Sequence, residues 1–464
     1  MTIATTSLAA LPTALPPVER RAAMPLGFVA GAGVAGIKAS GRPDLAIVAT
    51  QPGHDGVRPS AAAAAVFTPN AFAAAPVRLS QAHLTATEAG SAGRFGWATA
   101  VISTSGSANA ATGAAGDADQ AEIAELLAAA LDTTAEQTLL LSTGIIGTRL
   151  PLDRVGAGIA AIAPTLSPTD AGLTAAAEAL RTTDSVTKVA TTTITLPDLD
   201  GHTVRAVRVT GIAKGVGMIH PRMATMLSIV LTDATVDPAT LHGLLRPAAA
   251  RTWNQLSVDG DTSTNDTVFV LASRAAGVAA VTAGTREAVE LGRALEAVAR
   301  DLARQQAADG EGATTLITCQ VSGARDDADA RAVARAVVSS SLVKAAAHGR
   351  DPNWGRIAGA AGNATLAGEA VLAAAGLPAA AARSRSGTAA ELDPDRLRIA
   401  IAGHLVFDGT AGGPVPFNRD AARAAMEAPE LLIRLDLGLG DGTGEAFGCD
   451  LTETYVIENS EYTT

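Results

Sequence analysis

Cysteine is nearly missing from this 464-residue chain: Cys319 and Cys449 are the only two, with no C-x-x-C. That excludes a disulfide framework and a cysteine zinc site, and it points to a reducing, cytoplasmic setting. Aromatic residues make up 3%, too few for stacking platforms that hold single-stranded nucleic acid. A net charge of −11 argues against nucleic-acid or anionic-membrane partners. No uninterrupted apolar run reaches the ~18–20 residues needed to span a bilayer. The first residues, MTIATTSLAALPTALPPVERR, carry no basic residue before a short apolar stretch broken by prolines. They do not make a secretory signal, and residues 1–24 read as a mobile tail. The seven histidines show no ligand spacing and H-E-x-x-H is missing, so no metal is expected. Lysine is also scarce. It occurs only at 38, 188, 214 and 344, and a chain that otherwise uses Arg for positive charge keeps Lys by chance or where a compact ammonium is required.

What is present is a chain that is 48% hydrophobic, long enough for about three domain-sized units. Short apolar runs (LAIVAT, AAVFT, WATAVIST, QTLLLST) alternate with turns up to about residue 150. Helical patterns follow at 170–183, 286–307 and 327–347. AAAGLPAAAARSRSGTAAE, residues 373–391, reads as a low-complexity surface insertion, and LGLGDGTGEAFG as a hairpin turn. Strands and helices interleave without regular βαβ spacing, which predicts a layered α+β arrangement.

Several local signals fail. GIAKGVGM lacks the order of a phosphate loop, DGDTSTNDT lacks the Gly and Glu of a calcium loop, and the two S-x-x-K matches (Ser185–Lys188, Ser341–Lys344) lack their companion motifs. Hydroxyl chemistry remains. In GIAKGVGMIHPRMATMLSIVLTDA, residues 211–234, a Gly- and Pro-punctuated loop delivers Ala224-Thr225 onto the strand-like MLSIVLT. Such a junction suits a reactive hydroxyl, and it is equally an ordinary place for a threonine. A threonine nucleophile needs a base, and its own α-amine serves once the preceding bond is cut. Self-cleavage at Ala224–Thr225 would provide that amine: the hydroxyl attacks the Ala224 carbonyl, the acyl group shifts from N to O, and water releases the ester. LLLSTGIIG offers Thr143 and Gly144 as oxyanion donors, although a plain strand-end turn explains the same residues.

These pieces together resemble the ornithine acetyltransferase family, the bifunctional glutamate N-acetyltransferases of arginine biosynthesis. GIAKGVGMIHPRMATML, STGIIG, TTDS, VDGDTSTNDT, DGEGA, HGRDPNWGR, GCDLTETYV and NSEYTT match its signatures in order, over nearly the whole chain from about Pro25. The resemblance implies the layered α/β sandwich of that family, shared with self-processing aminopeptidases. It implies a cut into an alpha region (25–224) and a beta region (225–464) that stay associated, in a heterotetramer or larger. Thr225 would be the nucleophile and Thr143 with Gly144 the oxyanion hole. Thr182, Lys214, Thr225, Glu311, Asn459 and Thr464 would bind substrate. The implied reaction is ping-pong acetyl transfer from N2-acetylornithine to glutamate, without cofactor, with acetyl-CoA as a possible further donor. Two readings stand beside it: an aminopeptidase or amidase with the same self-processed threonine, and a secondary-metabolism paralogue with another acceptor. Two places depart from the family pattern. Arg222 stands where Asn is expected, and TSGSANAATG (104–113) replaces N-S-G-N-A-N-A-x-T-G.

Overall fold

A computed structural model describes residues 8–11, 14–220 and 226–460. Its centre is a six-stranded sheet in the order Phe95–Ala98, Ala61–Phe67, Thr267–Ala272, Leu227–Thr232, Val204–Lys214 and Lys188–Pro197. Both faces of this sheet are covered. Ala62, Ala64, Val66, Val209, Val230 and Val270 pack against the helices Pro238–Arg251 and Arg286–Ala308. Alternate residues of the same strands, among them Ala63, Ala65, Ile229, Leu231 and Leu271, face a second core. Period-two alternation between two dry faces explains why these strands read as unbroken apolar runs.

The second core is closed by a four-stranded sheet, Phe28–Gly33, Leu45–Thr50, Ala100–Ser107 and Thr138–Ile145, with the helices Ala75–Thr87 and Asp170–Leu180 packed into it. The outer face of that sheet is covered by Gly113–Leu131 and Leu152–Ile162. A seven-stranded sheet, centred on Leu316–Ala324 and Glu430–Asp436, forms its own core with Asp327–Ser339, Ser341–His348 and Trp354–Gly362. The layered α/β arrangement is as expected.

Four local expectations are corrected. Residues 17–24 are not a loose tail: Glu19 exchanges backbone hydrogen bonds with Thr191 at 2.8 and 2.9 Å, Thr210 donates to the Ala23 carbonyl, and Arg20 pairs with Asp301. The edge strand Lys188–Pro197 has unpaired backbone groups, and this segment satisfies some of them. Within 373–391 the chain forms the helix Ala379–Arg385 after Glu369–Ala374, held by Arg385 against Asp326 and the buried Asp329. The long helix expected at 327–347 breaks at Ser340, whose side chain caps the second half. LGLGDGTGEAFG is no hairpin, because the strands it joins both pair with Leu316–Ala324 and not with each other. It crosses the end of that strand, donating from Leu437 to Ser322 and from Leu439 to Gly323.

His242, on the helix Pro238–Arg251, is buried against Phe95, with ring centroids 5.5 Å apart. Burial, reinforced by Arg246 and Arg94, pushes its imidazole down to about 4. The unfolded chain therefore binds a proton in the range where the folded chain does not, and stability falls as pH drops from about 6.5 toward 4. This one group accounts for ~2 kcal/mol of loss between pH 8 and pH 5. His242→Gln should lose correspondingly less over that interval in paired denaturant titrations, and an unchanged difference would remove His242 from the acid sensitivity.

Candidate active site

The strands Val204–Lys214 and Leu227–Thr232 are antiparallel neighbours, with Lys214 opposite Leu227. The connection between them therefore leaves and re-enters one end of the sheet. At that end lies a cavity of about 300 Å³. Thr143, Gly144, Thr182, Lys214, Glu311 and Asn459 all line it, together with Met226 and Leu227. Thus six residues named from sequence meet in one cavity. Ala224, Thr225, Arg222 and Thr464 lie outside the described residues.

Thr143 and Gly144 end the strand Thr138–Ile145, where the pairing with Ser107 is irregular. Gly144 has φ +131°, and a Cβ there would lie 2.3 Å from the Gly106 carbonyl carbon. Only glycine fits where the two strands approach so closely. Asn265 secures this end of the site by donating to the carbonyls of Ala108 and Ser142 at 2.6 and 2.8 Å. The altered stretch 104–113 lies under it. Ser105 donates to Ala179, Ser107 to Thr148, and Asn109 to Gly116 and Gln120.

The Lys214 ammonium donates to the Thr143 hydroxyl at 3.1 Å. Burial pushes it below the ordinary lysine range, while Asp184 opposes that shift most strongly and Glu311 and Asp266 add to the opposition. Glu311 follows the helix Arg286–Ala308 and is fixed by its backbone N–H to the Val216 carbonyl. Its carboxylate accepts from Thr183 at 3.2 Å and from Asn459 at 2.9 Å, which ties the C-terminal helix Glu453–Ser460 to the site. Before the undescribed segment, Asp259 accepts from the backbone N–H groups of Met218 and Ile219, and Met218 adopts φ +51°. The cavity thus pairs an ammonium and a carboxylate across an apolar wall that includes Ile145, Val216 and Leu227. That suits a small zwitterion.

Sequence reasoning missed the roles of Asp184, Asn265 and Gly106, and the packing of Gly217 against Glu311. Asp184 and Asn265 sit inside the quoted TTDS and VDGDTSTNDT, so the motifs contained them without indicating their roles. Ser185-x-x-Lys188 holds a brace, with Lys188 buried between Asp184 and Asp309. Among the described residues no group of three His, Cys, Asp or Glu could hold a metal ion, and no helix is long and apolar enough to cross a membrane.

Residues 29–464 match the model of the ArgJ family. The arginine biosynthesis bifunctional protein ArgJ of Synechocystis is 41% identical over 457 residues, covering 96% of this chain and 98% of that protein. Its namesake from Thermus thermophilus is 40% identical over 441 residues, 95% of this chain and 99% of that one. Among solved structures, ArgJ of Bacillus halodurans matches with TM-score 0.44 at 39% identity, covering 51% of this chain and 99% of that chain.

Gly217 lies against Glu311, where an added Cβ would sit 2.2 Å from Oε2. Gly217→Ala should push the Glu311 carboxylate off Thr183 and Asn459, and a crystal structure of that variant should show both hydrogen bonds lost. Their retention would mean that the 217 backbone yields instead.

Proposed function

The chain belongs to the ArgJ family, an enzyme family of arginine biosynthesis, and from that premise we propose that it transfers an acetyl group from N2-acetylornithine to glutamate through an acetyl-Thr225 enzyme. The observation that carries this reading is convergence. Thr143, Gly144, Thr182, Lys214, Glu311 and Asn459 come from five stretches of chain and line one cavity with Met226, the residue bonded to Thr225.

The chemistry of this reading starts at Thr225 and uses the groups that line the cavity. Cleavage between Ala224 and Thr225 frees an α-amine, the base that a threonine hydroxyl otherwise lacks. The hydroxyl attacks the acetyl carbonyl of acetylornithine, the amine takes its proton, and the developing oxyanion is met by Thr143 and Gly144. Lys214, hydrogen-bonded to Thr143, places a positive charge beside that point. Removing one such donor costs about 10²–10³ in rate where it has been tested. The amine returns the proton to the leaving nitrogen and ornithine departs. Glutamate then enters the same cavity, its amine attacks the acetyl ester, and N-acetylglutamate leaves with Thr225 regenerated. Glu311 recognises the cationic amine of ornithine, while Lys214 and Thr182 recognise carboxylate. No step requires a metal or cofactor, and acetyl-CoA would join the cycle only as another route to the acetyl-enzyme.

A denaturing mass spectrum of the purified protein tests the first step: two fragments should meet at Ala224 and Thr225, and Thr225→Ala should give one uncut, inactive chain. A cut, active Thr225→Ala protein would remove that residue from the mechanism. Added glutamate should accelerate ornithine release, with parallel initial-velocity lines. Release that ignores glutamate would favour a hydrolase, and intersecting lines a ternary complex.

A further inference from the structure

Thr182 and Lys214 belong to separate parts of the chain. Thr182 sits in the turn after the helix Asp170–Leu180, and Lys214 ends the strand Val204–Lys214. One side chain touches both neighbourhoods. Asp184, 2% exposed, accepts from the Thr182 N–H through Oδ2 at 3.1 Å and from the Gly215 N–H through Oδ1 at 2.7 Å. Its Oδ1 also accepts from Lys188 Nζ at 2.7 Å, and Lys188, wholly buried, reaches Asp309 on its other side at 2.5 Å. Asp309 caps the helix Arg286–Ala308 two residues before Glu311, and it accepts from the Ser185 N–H and hydroxyl. From the same helix, Gln306 donates to the Lys214 carbonyl at 2.8 Å.

We propose that Asp184 is a positioning residue for substrate binding: its single carboxylate sets the spacing between Thr182 and Lys214, and through Lys188 and Asp309 it registers both against Glu311. The claim rests on the acetyltransferase reading for its substrate, ornithine, and on geometry alone for its mechanism. Two features distinguish this carboxylate from an ordinary buried ion-pair partner. Both of its oxygens accept from backbone N–H groups at the cavity, so its loss leaves donors unpaired at the binding residues themselves. It is also shared: with one lysine between two aspartates, the buried triad keeps a net negative charge. That charge faces Lys214, whose other charged neighbours are Glu311, Asp266, Lys188 and, farther off, Lys38. Asp184 is held well below the usual carboxylate range: burial works against this, but Lys214, Lys188 and the Gly215 N–H outweigh it. The carboxylate stays charged, and its charge opposes the lowering that burial imposes on Lys214.

The test compares Asp184→Asn with Asp309→Asn, which disturbs the same buried cluster but leaves both N–H contacts of Asp184 in place. Asp184→Asn should raise KM for acetylornithine, and weaken ornithine binding by calorimetry, by roughly 10-fold or more with kcat changed far less. Asp309→Asn should shift KM clearly less. Values for Asp184→Asn within twofold of wild type, or equal shifts in the two variants, would overturn the proposal. If Asp184→Asn does not fold, the triple variant Asp184→Asn/Lys188→Met/Asp309→Asn removes every charge of the triad and strands none, a change that buried ion clusters often tolerate. It should show the same KM defect, and a normal KM in it would overturn the proposal equally. Failure of the acetyltransferase reading is visible separately, as a wild type that neither releases nor binds ornithine, whereas failure of the Asp184 proposal shows in variants compared with a wild type that does both.

Discussion

The ladder between Val204–Lys214 and Leu227–Thr232 is the constraint on which the site depends. It lies inside a sheet dry on both faces, and its register places Lys214 opposite Leu227. A one-residue slip would turn every buried side chain of the strand to the opposite face, so the register is strongly specified. With it fixed, the connection between the strands opens at one sheet end. The neighbouring strand Thr267–Ala272, paired at Leu227 through Thr267, brings Asn265 and Asp266 to the same end. The smaller sheet contributes Thr143 and Gly144 from across the shared core. Lys214, Thr143 and Gly144 are therefore placed by strands, while Thr182, Glu311 and Asn459 reach the cavity from a turn, a loop and the C-terminal helix.

Electrostatics then divide the work. Five carboxylate and ammonium groups in and behind the cavity are grouped by depth. Lys188, Asp184 and Asp309 lie behind the wall and hold one another, while Lys214 and Glu311 face the cavity. Buried charge of this kind adds little net stability, because desolvation offsets most of the attraction. What it contributes is geometry. Two of the chain's four lysines belong to this assembly. The scarcity of lysine was thus informative at 188 and 214, where a compact ammonium must sit between carboxylates or beside a hydroxyl.

Much of this was legible in the sequence, for identifiable reasons. Leu45–Thr50 and Leu227–Thr232 announced themselves because a strand buried on both faces cannot alternate polarity. The helix Arg286–Ala308 did so because only one of its faces is buried. Six site residues could be named through ordered motifs, yet composition and local pattern alone reached only Thr143, Gly144 and, through the scarcity of lysine, Lys214 among them. Three of the failures share a cause, the exception being the local cap at Ser340. Residues 17–24, the helix Ala379–Arg385 and the 437–441 crossing are fixed by distant partners, respectively Thr191 and Asp301, Asp326 and Asp329, and the end of Leu316–Ala324. Composition within a window carries no signal of such partners. Asp184 was hidden for the same reason, since its role is visible only when residues 182, 188 and 215 are placed around it.

The strand order of the central sheet has a final consequence. Leu227–Thr232 and Thr267–Ala272, which follow position 225, are adjacent, and on either side of them lie strands that precede it: Ala61–Phe67 beyond one, Val204–Lys214 beyond the other. A chain severed at 224–225 would keep its later piece gripped between two parts of the earlier one, with a full hydrogen-bonded ladder on each flank. Such pieces cannot slide apart as docked subunits do. They separate only if the sheet itself melts, so the nick would free a terminus while leaving the molecule, mechanically, one body.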